Sequence, residues 1–169
     1  MDMWRSIVDS NIGWLAASVR RIVGNDHDAE DVVQEVFVEA YALAQKTQVE
    51  NWPALLRRMS QRRAIDQLRR KVRTAKTASS ELMAMVPSDE DHEQAMEKCD
   101  LESQLRKSLV ELSDREATVF ALTYFEHLSR SEIATTLQTS ENAVSIALHK
   151  AIKRLKVLLQ NPKSTEENQ

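Results

Sequence analysis

Apolar positions recur every three or four residues over most of the chain, which is the spacing of an amphipathic α-helix. The clearest case is residues 28–44, where the apolar positions share one face and acidic residues occupy the opposite face. A second apolar stripe runs from about Met3 to Val23 and ends at Gly24-Asn25, as expected of a left-handed C-terminal cap. The chain has only two glycines and three prolines, which favours long helices over sheets. We therefore predict an all-α protein.

A third helix is predicted to begin at Trp52-Pro53, because proline is tolerated in the first turn of a helix. Its apolar residues do not share one face. Trp52, Leu55, Leu56 and Met59 cluster on one side, whereas Ile65, Leu68 and Val72 fall roughly opposite. Two interpretations stay open: the helix kinks near Ser60, or it is packed on two sides along its length.

The helical pattern fades from Thr74 to about Asp100 and returns with Leu101, Leu105, Leu109 and Leu112. The intervening residues are small, polar and acidic, which is typical of a linker. We predict two small helical domains at residues 1–76 and 101–160, joined by an acidic linker at 77–100 and followed by a tail at 161–169.

The second domain ends in the pattern of a DNA-binding helix-turn-helix. Ser129 and Glu132 form a capping box, Gln138-Thr139 makes a short turn, and Ser140 is the N-cap of the last helix. Its predicted inward positions are Val144, Leu148, Ile152 and Leu155. The alternative is an ordinary antiparallel helical hairpin. A left-handed conformation at Gln138, where glycine is usual, would cost about 1 kcal/mol.

The net charge of −3 conceals a strong segregation of charge along the chain. Residues 57–76 carry nine arginines and lysines against the single acid Asp66, whereas residues 26–39 and 81–102 are predominantly acidic. A solvated basic helix would normally have acids interleaved for mutual support. The pattern therefore favours phosphate contact by the third helix and a basic partner for the acidic faces.

The sequence gives no support to an enzyme or to a metal or cofactor site. The four histidines are scattered, and no glycine-rich phosphate loop or nucleophile–base pair is found. Cys99 is the only cysteine, which excludes an internal disulfide. No apolar run is long enough to span a membrane, and the N-terminus lacks the pattern of a secretion signal. We expect a cytoplasmic, non-enzymatic protein.

Three stretches together resemble a bacterial sigma factor of the extracytoplasmic-function (ECF) group of the sigma-70 family. DAEDVVQEVFVEAY at 28–41 is similar to the helix that binds the polymerase clamp, and RRAIDQLRR at 62–70 is similar to the end of the promoter-reading helix. Residues 112–155 resemble region 4. The resemblance implies a region 2 at residues 1–76 that binds core RNA polymerase and the −10 element. It implies a region 4 at residues 101–160 that binds the −35 element.

The resemblance also implies site residues. The expected core-polymerase contacts are Asp31, Gln34, Glu35 and Glu39. The expected region 2 contacts to DNA are Trp52, Arg58, Arg62, Arg63, Arg69 and Arg70, with Trp52 either stacked on an unpaired base or packed inside. The expected region 4 contacts are Ser140, Glu141, Asn142, Ser145, His149, Lys150 and Lys153. Ser145 and Ala147 replace basic residues that are common in the family, so a promoter sequence cannot be carried over.

A sigma factor directs core RNA polymerase to promoters and assists strand opening without catalysing a reaction itself. Members of the compact group lack the inhibitory domain of larger sigma factors, and an anti-sigma protein is the expected restraint. Two other classes stay open: a conventional helix-turn-helix regulator, and a helical adaptor without a role on DNA.

Overall fold

The computed structural model describes residues 2–78 and 93–160, and within these ranges it contains seven helices. They are α1 (Asp2–Val23), α2 (Asp26–Ala44), α3 (Trp52–Ala78), α4 (Glu93–Leu109), α5 (Asp114–Tyr124), α6 (Arg130–Leu137) and α7 (Glu141–Gln160). The predicted all-α fold is confirmed. Among these helices, none is both long enough and apolar enough to cross a membrane.

The connection between α1 and α2 depends on Gly24, whose φ of +90° is accessible to glycine at little cost. A Cβ atom there would also lie 2.9 Å from the guanidinium carbon of Arg106 in α4. The N-cap of α2 is Asn25, whose side chain accepts the N–H of Asp28 at 2.9 Å. Asp28, which by residue type could also have been predicted to cap this helix, does not do so: its carboxylate is buried and pairs with Lys71 of α3.

Helices α1, α2 and α3 pack against one another and form the N-terminal bundle. Most predicted apolar positions of α1 and α2 are buried, including Leu15, Val19, Val32 and Val36. The apolar spacing of α1 also predicts an inward position for Ile12, but Ile12 is 45% exposed. The buried stripe of α1 instead runs through Asn11, whose amide is satisfied by the carbonyl of Ile7 at 2.6 Å.

Helix α3 is continuous from Trp52 to Ala78 and is packed on two sides, which decides between the two interpretations of its pattern. It contacts α1 and α2 on one side and α5 and α6 on the other. Ser60 and Gln61 are fully buried at the centre of this sandwich. The apolar residues of α3 therefore lie between helices of both sets.

Helices α4 to α7 form the C-terminal bundle, which shares its main apolar core with the N-terminal bundle. That core includes Leu15, Ile22, Leu56 and Leu68 from the N-terminal bundle and Leu109, Leu112, Phe120, Ala121 and Leu155 from the C-terminal bundle. A smaller cluster within the C-terminal bundle comprises Val119, Leu122, Ile133, Ala134, Val144 and Ala147. The two bundles are thus joined through a buried apolar interface.

Two helices reach into the stretch expected to be a linker, since α3 continues to Ala78 and α4 begins at Glu93. The residues between them, 79–92, lie outside the described part of the chain, as does the predicted tail from residue 161 onward. The division into two domains with a linker therefore stays a prediction.

Candidate DNA-binding and protein-binding surfaces

Helices α6 and α7 with their three-residue connection have the layout of a helix-turn-helix. The Ser129 hydroxyl accepts the N–H of Glu132 at 3.3 Å, and the Glu132 carboxylate accepts the N–H of Ser129 at 2.8 Å. Hydrogen bonding of the Glu132 carboxyl with the Ser129 side chain, and then with the Ser129 backbone N–H, lowers the pKa of Glu132 below its usual value. A second capping box joins Ser113 and Glu116 at the start of α5. The capping box predicted at Ser129 and Glu132 is confirmed.

The turn between α6 and α7 contains Gln138 in the left-handed conformation, with φ 52° and ψ 51°. The predicted conformational cost at this non-glycine residue is therefore present. The Gln138 side chain accepts a hydrogen bond from Arg58 of α3 at 3.3 Å. An exposed hydrogen bond of this kind offsets only part of the backbone cost.

Replacing Gln138 with glycine is expected to raise the free energy of unfolding by up to about 1 kcal/mol, because glycine adopts the left-handed region without a Cβ clash. Urea denaturation followed by circular dichroism measures this change. Gln138→Ala is the matched control, because it also removes the amide but keeps the strained conformation. A glycine variant no more stable than the alanine variant would contradict the expectation.

The outer face of α7 carries most of the residues expected to contact DNA. Glu141, Asn142, His149, Lys150 and Lys153 are exposed, and Ser145 is half-buried. Ser140 lies at the N-cap, where its hydroxyl accepts the N–H of Ala143 at 3.2 Å. The opposite face of α7 is buried by Val144, Ala147, Ala151 and Leu155. The helix thus offers a continuous, mostly polar outer face while its inner face is fixed by packing.

The expected core-polymerase contacts lie together on the outer face of α2. Asp31, Gln34, Glu35 and Glu39 are all exposed, and we call them the α2 acidic face. A shallow cleft of about 410 Å³ beside them is also lined by Val38 and by Gln67 of α3. Val38 is strongly exposed, and helical spacing could have placed it on this face because it follows Gln34 by four residues.

Arg63 lies beside the α2 acidic face, although the sequence predicted a DNA contact for it. Its guanidinium bonds the Glu39 carboxylate at 2.8 Å and lies 3.5 Å from that of Glu35. The hydrogen bond with Glu39, helped by the nearby carboxylates, raises the pKa of Arg63 above its usual value. Arg63 is therefore positioned to hold two acidic side chains of α2 in place.

Of the other expected DNA contacts of α3, some bond to other residues of the protein and some are exposed to solvent. Arg69 bonds the Asp114 carboxylate at 2.5 Å and the Leu112 carbonyl at 2.9 Å, both in the C-terminal bundle. Arg62 and Arg70 are exposed. Trp52 is half-buried and meets Trp4 edge to face at a centroid distance of 5.5 Å. This packing supports the inside role for Trp52 over a free stacking platform.

A buried polar cluster at the junction of the two bundles was missed by the sequence reasoning. The Glu126 side chain, only 7% exposed, enters from the α5–α6 loop. It accepts hydrogen bonds from Ser18 at 2.9 Å, from Gln61 at 2.6 Å and from Arg57 at 2.8 Å. Arg57 also lies 4.6 Å from the ring centroid of Trp14. We call Ser18, Arg57, Gln61 and Glu126 the Glu126 cluster.

The loop between α2 and α3 faces the helix-turn-helix across a cleft of about 450 Å³. The loop side of the cleft is lined by residues 47–51 together with Arg58, and the other side by Thr135, Thr136 and Gln138. The helix-turn-helix is therefore packed directly beside the start of the basic helix α3.

Comparison with known families identifies the two bundles. Residues 7–74 match the sigma-70 region 2 family, and residues 102–155 match the sigma-70 region 4 family. These two ranges lie in the expected order and take in well over half of the chain. The chain belongs to the sigma-70 family. We use region 2 for residues 7–74 and region 4 for residues 102–155 of this sigma factor.

Curated relatives place the sigma factor in the ECF group. It is 27% identical over 157 residues to the ECF RNA polymerase sigma factor SigE of Mycolicibacterium smegmatis, covering 92% of this chain and 61% of SigE. It is 27% identical over 169 residues to the ECF RNA polymerase sigma factor SigW of Bacillus subtilis, covering 95% of this chain and 90% of SigW. The chain thus spans less than two thirds of SigE but nearly all of SigW.

The fold also matches a solved sigma factor structure. The sigma factor RpoE of Bartonella quintana, solved in complex with the anti-sigma factor NepR, aligns with a TM-score of 0.54 and 19% identity. The alignment covers 95% of this chain and 98% of the other. ECF sigma factors are initiation factors rather than enzymes, so the expectation of a non-enzymatic role is confirmed by the family.

Proposed function

We propose that this sigma factor binds core RNA polymerase through the α2 acidic face and directs it to promoters, where region 2 contacts the −10 element and region 4 the −35 element. One observation carries the proposal. The protein exposes two different surfaces: the α2 acidic face, on a helix whose other side is buried, and the mostly polar outer face of α7. The first surface suits a basic protein partner and the second suits the major groove.

The proposed partners place the action of the protein in the cytoplasm. We further propose that an anti-sigma protein restrains it, as suggested by the solved complex of the Bartonella quintana relative with NepR. The basic side chains Arg62 and Arg70 of α3 remain exposed for the DNA backbone and the displaced strand.

Binding of the purified full chain to purified bacterial core RNA polymerase without DNA tests the proposal. The sigma factor should co-elute with core and should then support run-off transcription from promoters that core alone does not use. A conventional helix-turn-helix regulator would bind DNA by itself and not require core. A helical adaptor would give neither result. Failure to bind core would overturn the proposed function.

The arrangement in this structure cannot contact both promoter elements at once. The names of the −10 and −35 elements place them about 25 base pairs apart, which is about 85 Å along a duplex at about 3.4 Å per base pair. Here a guanidinium nitrogen of Arg58 in region 2 lies only 3.3 Å from the side-chain oxygen of Gln138 in region 4. Region 4 must therefore move away from region 2 before the sigma factor can hold a promoter.

We call the observed packing of region 4 on region 2 the closed arrangement. It is held by the shared apolar core, by the Glu126 cluster and by the contacts of Arg69 with Asp114 and Leu112. Opening exposes apolar area and hydrates Glu126, so it must be driven by contacts that each region makes with polymerase and DNA. In the closed arrangement the α2 acidic face stays exposed.

Two substitutions on α7 should separate sequence recognition from backbone attraction. Asparagine can pair with adenine in the major groove, so Asn142→Ala is expected to flatten the preference at one or two positions by about 1–3 kcal/mol. Lys153→Ala is expected to weaken binding about equally on all sequences and to lower the salt slope by about 0.9. Holoenzyme binding to a randomised −35 element at several salt concentrations measures both effects.

Lys107→Ala is the control for the charge change, because Lys107 is exposed on α4 and is not among the residues expected to contact DNA. It should leave both the salt slope and the selected sequence as in the wild type. The proposed orientation of α7 is wrong if Lys153→Ala changes the selected sequence while Asn142→Ala does not.

A further inference from the structure

The outer face of α7 contains one large apolar side chain among its polar ones. Ile146 is 49% exposed, although isoleucine is usually buried. It belongs to neither of the two apolar clusters formed by the described residues. The packing of α7 therefore does not account for it.

Helical geometry places Ile146 near the centre of the face proposed to enter the major groove. It follows Asn142 by four residues and precedes His149 by three, and residues at these spacings are neighbours on a helix surface. The buried residues Val144, Ala147 and Ala151 define the opposite side of the helix. Ile146 therefore projects in the same direction as Asn142 and His149.

The major groove offers one apolar group to such a side chain, the C5-methyl group of thymine. The neighbouring side chains can form hydrogen bonds with base edges or phosphates. The sec-butyl group of Ile146 can form no hydrogen bond with either. Its half-exposed surface has apolar area left to bury, and a β-branched residue brings no advantage to an exposed helical position. Contact with a methyl group on the groove floor would use that area.

We propose that Ile146 is a specificity-determining residue that packs on a thymine methyl group in the −35 element. The proposal rests on the proposed function, because it requires region 4 to bind that element. Burying one methyl group corresponds to about a fourfold change in affinity, which is about 0.8 kcal/mol at about 1.4 kcal/mol per factor of ten. Ile146 would then discriminate thymine from the other bases at one position.

Replacement of thymine by deoxyuridine tests this contact, because it removes the methyl group and leaves the pairing edge unchanged. A −35 element is first selected by the wild-type holoenzyme from a randomised library. Each thymine of that element is then replaced in turn, and holoenzyme affinity is measured. The wild type should lose about fourfold at one position. Ile146→Ala should bind the thymine form more weakly and show no difference between thymine and deoxyuridine at that position.

Two further variants separate a methyl contact from a general effect on α7. Ile146→Val keeps a branched apolar side chain and should retain most of the preference for thymine. Val157→Ala is the matched control, since Val157 is 55% exposed on the same helix about three turns further on. It should give the wild-type pattern at every position.

Several results would overturn the proposal. The selected −35 element could contain no thymine, or the affinity of the wild type could be unchanged by deoxyuridine at every position. The Ile146→Ala variant could also lose as much affinity on deoxyuridine replacement as the wild type does. In each case the holoenzyme still selects a sequence, so the proposed function survives. A holoenzyme that selects no sequence at all would instead contradict the proposed function together with this inference.

Discussion

Changing both Asp31 and Glu35 to lysine is expected to abolish binding to core RNA polymerase while leaving the fold intact. Both side chains are exposed on α2, whose opposite face is buried. Reversal would place like charges against a basic partner, which costs several kcal/mol. That corresponds to a loss of affinity of about 100-fold or more at about 1.4 kcal/mol per factor of ten. The measurements are affinity for core without DNA and circular dichroism.

The control for this prediction changes the net charge equally at other exposed sites. The control variant combines Asp9→Lys with Glu50→Lys. Both residues are exposed outside the α2 acidic face, since Asp9 lies on α1 and Glu50 lies in the α2–α3 loop. Glu35 also lies 3.5 Å from Arg63, so its reversal removes a local attraction within region 2. An exposed pair of this kind contributes at most about 1 kcal/mol. Equal affinity for core in the reversed and control variants would show that the α2 acidic face is merely solvated.

Linking region 4 to region 2 with a cleavable crosslink is expected to block promoter-dependent transcription almost completely. The linked positions are Arg58→Cys and Gln138→Cys, in a background in which Cys99 is replaced by serine. A short bis-maleimide containing a disulfide would hold the closed arrangement, in which the two promoter elements cannot be reached together. We expect run-off transcription to fall by about 100-fold or more, with binding to core through α2 retained, and reduction to restore transcription.

A crosslink inside region 4 provides the matched control. Arg115 and Thr139 are joined by a hydrogen bond of 2.7 Å between their side chains, and both belong to region 4. Cysteines at these two positions, linked with the same reagent, should leave transcription near the wild-type level. Full activity of the chain linked at positions 58 and 138 would show that region 4 need not leave region 2.

Much of the fold could be predicted because its signals are local in sequence. The apolar spacing of α2 places residues three and four apart on one face, and the structure buries Val32, Val33 and Val36 accordingly. Capping depends on residues three apart, so Ser129 and Glu132 could be paired without any knowledge of the fold. The left-handed conformation of Gln138 likewise follows from the short turn between two helices.

The roles of the α3 arginines could not be predicted, because their partners are distant in the chain. Arg63 bonds Glu39, 24 residues away; Arg69 bonds Asp114, 45 residues away; and Arg57 bonds Glu126, 69 residues away. No periodic pattern encodes such pairs, and an arginine that binds phosphate looks the same in sequence as one that joins two helices. Two-sided packing was one of two interpretations that the pattern of α3 left open, and the helices that form the second layer could not be identified from it.

The closed arrangement has a consequence for the order in which a transcription complex assembles. It leaves the α2 acidic face open but places the helix-turn-helix beside Arg58, one of the residues of region 2 expected to contact DNA. Under the proposed function, core polymerase can therefore dock first, whereas the unbound protein cannot occupy a complete promoter. A cell that accumulates this sigma factor would not have its promoters blocked by polymerase-free copies. Excess protein would instead compete with other sigma factors for a limited pool of core enzyme.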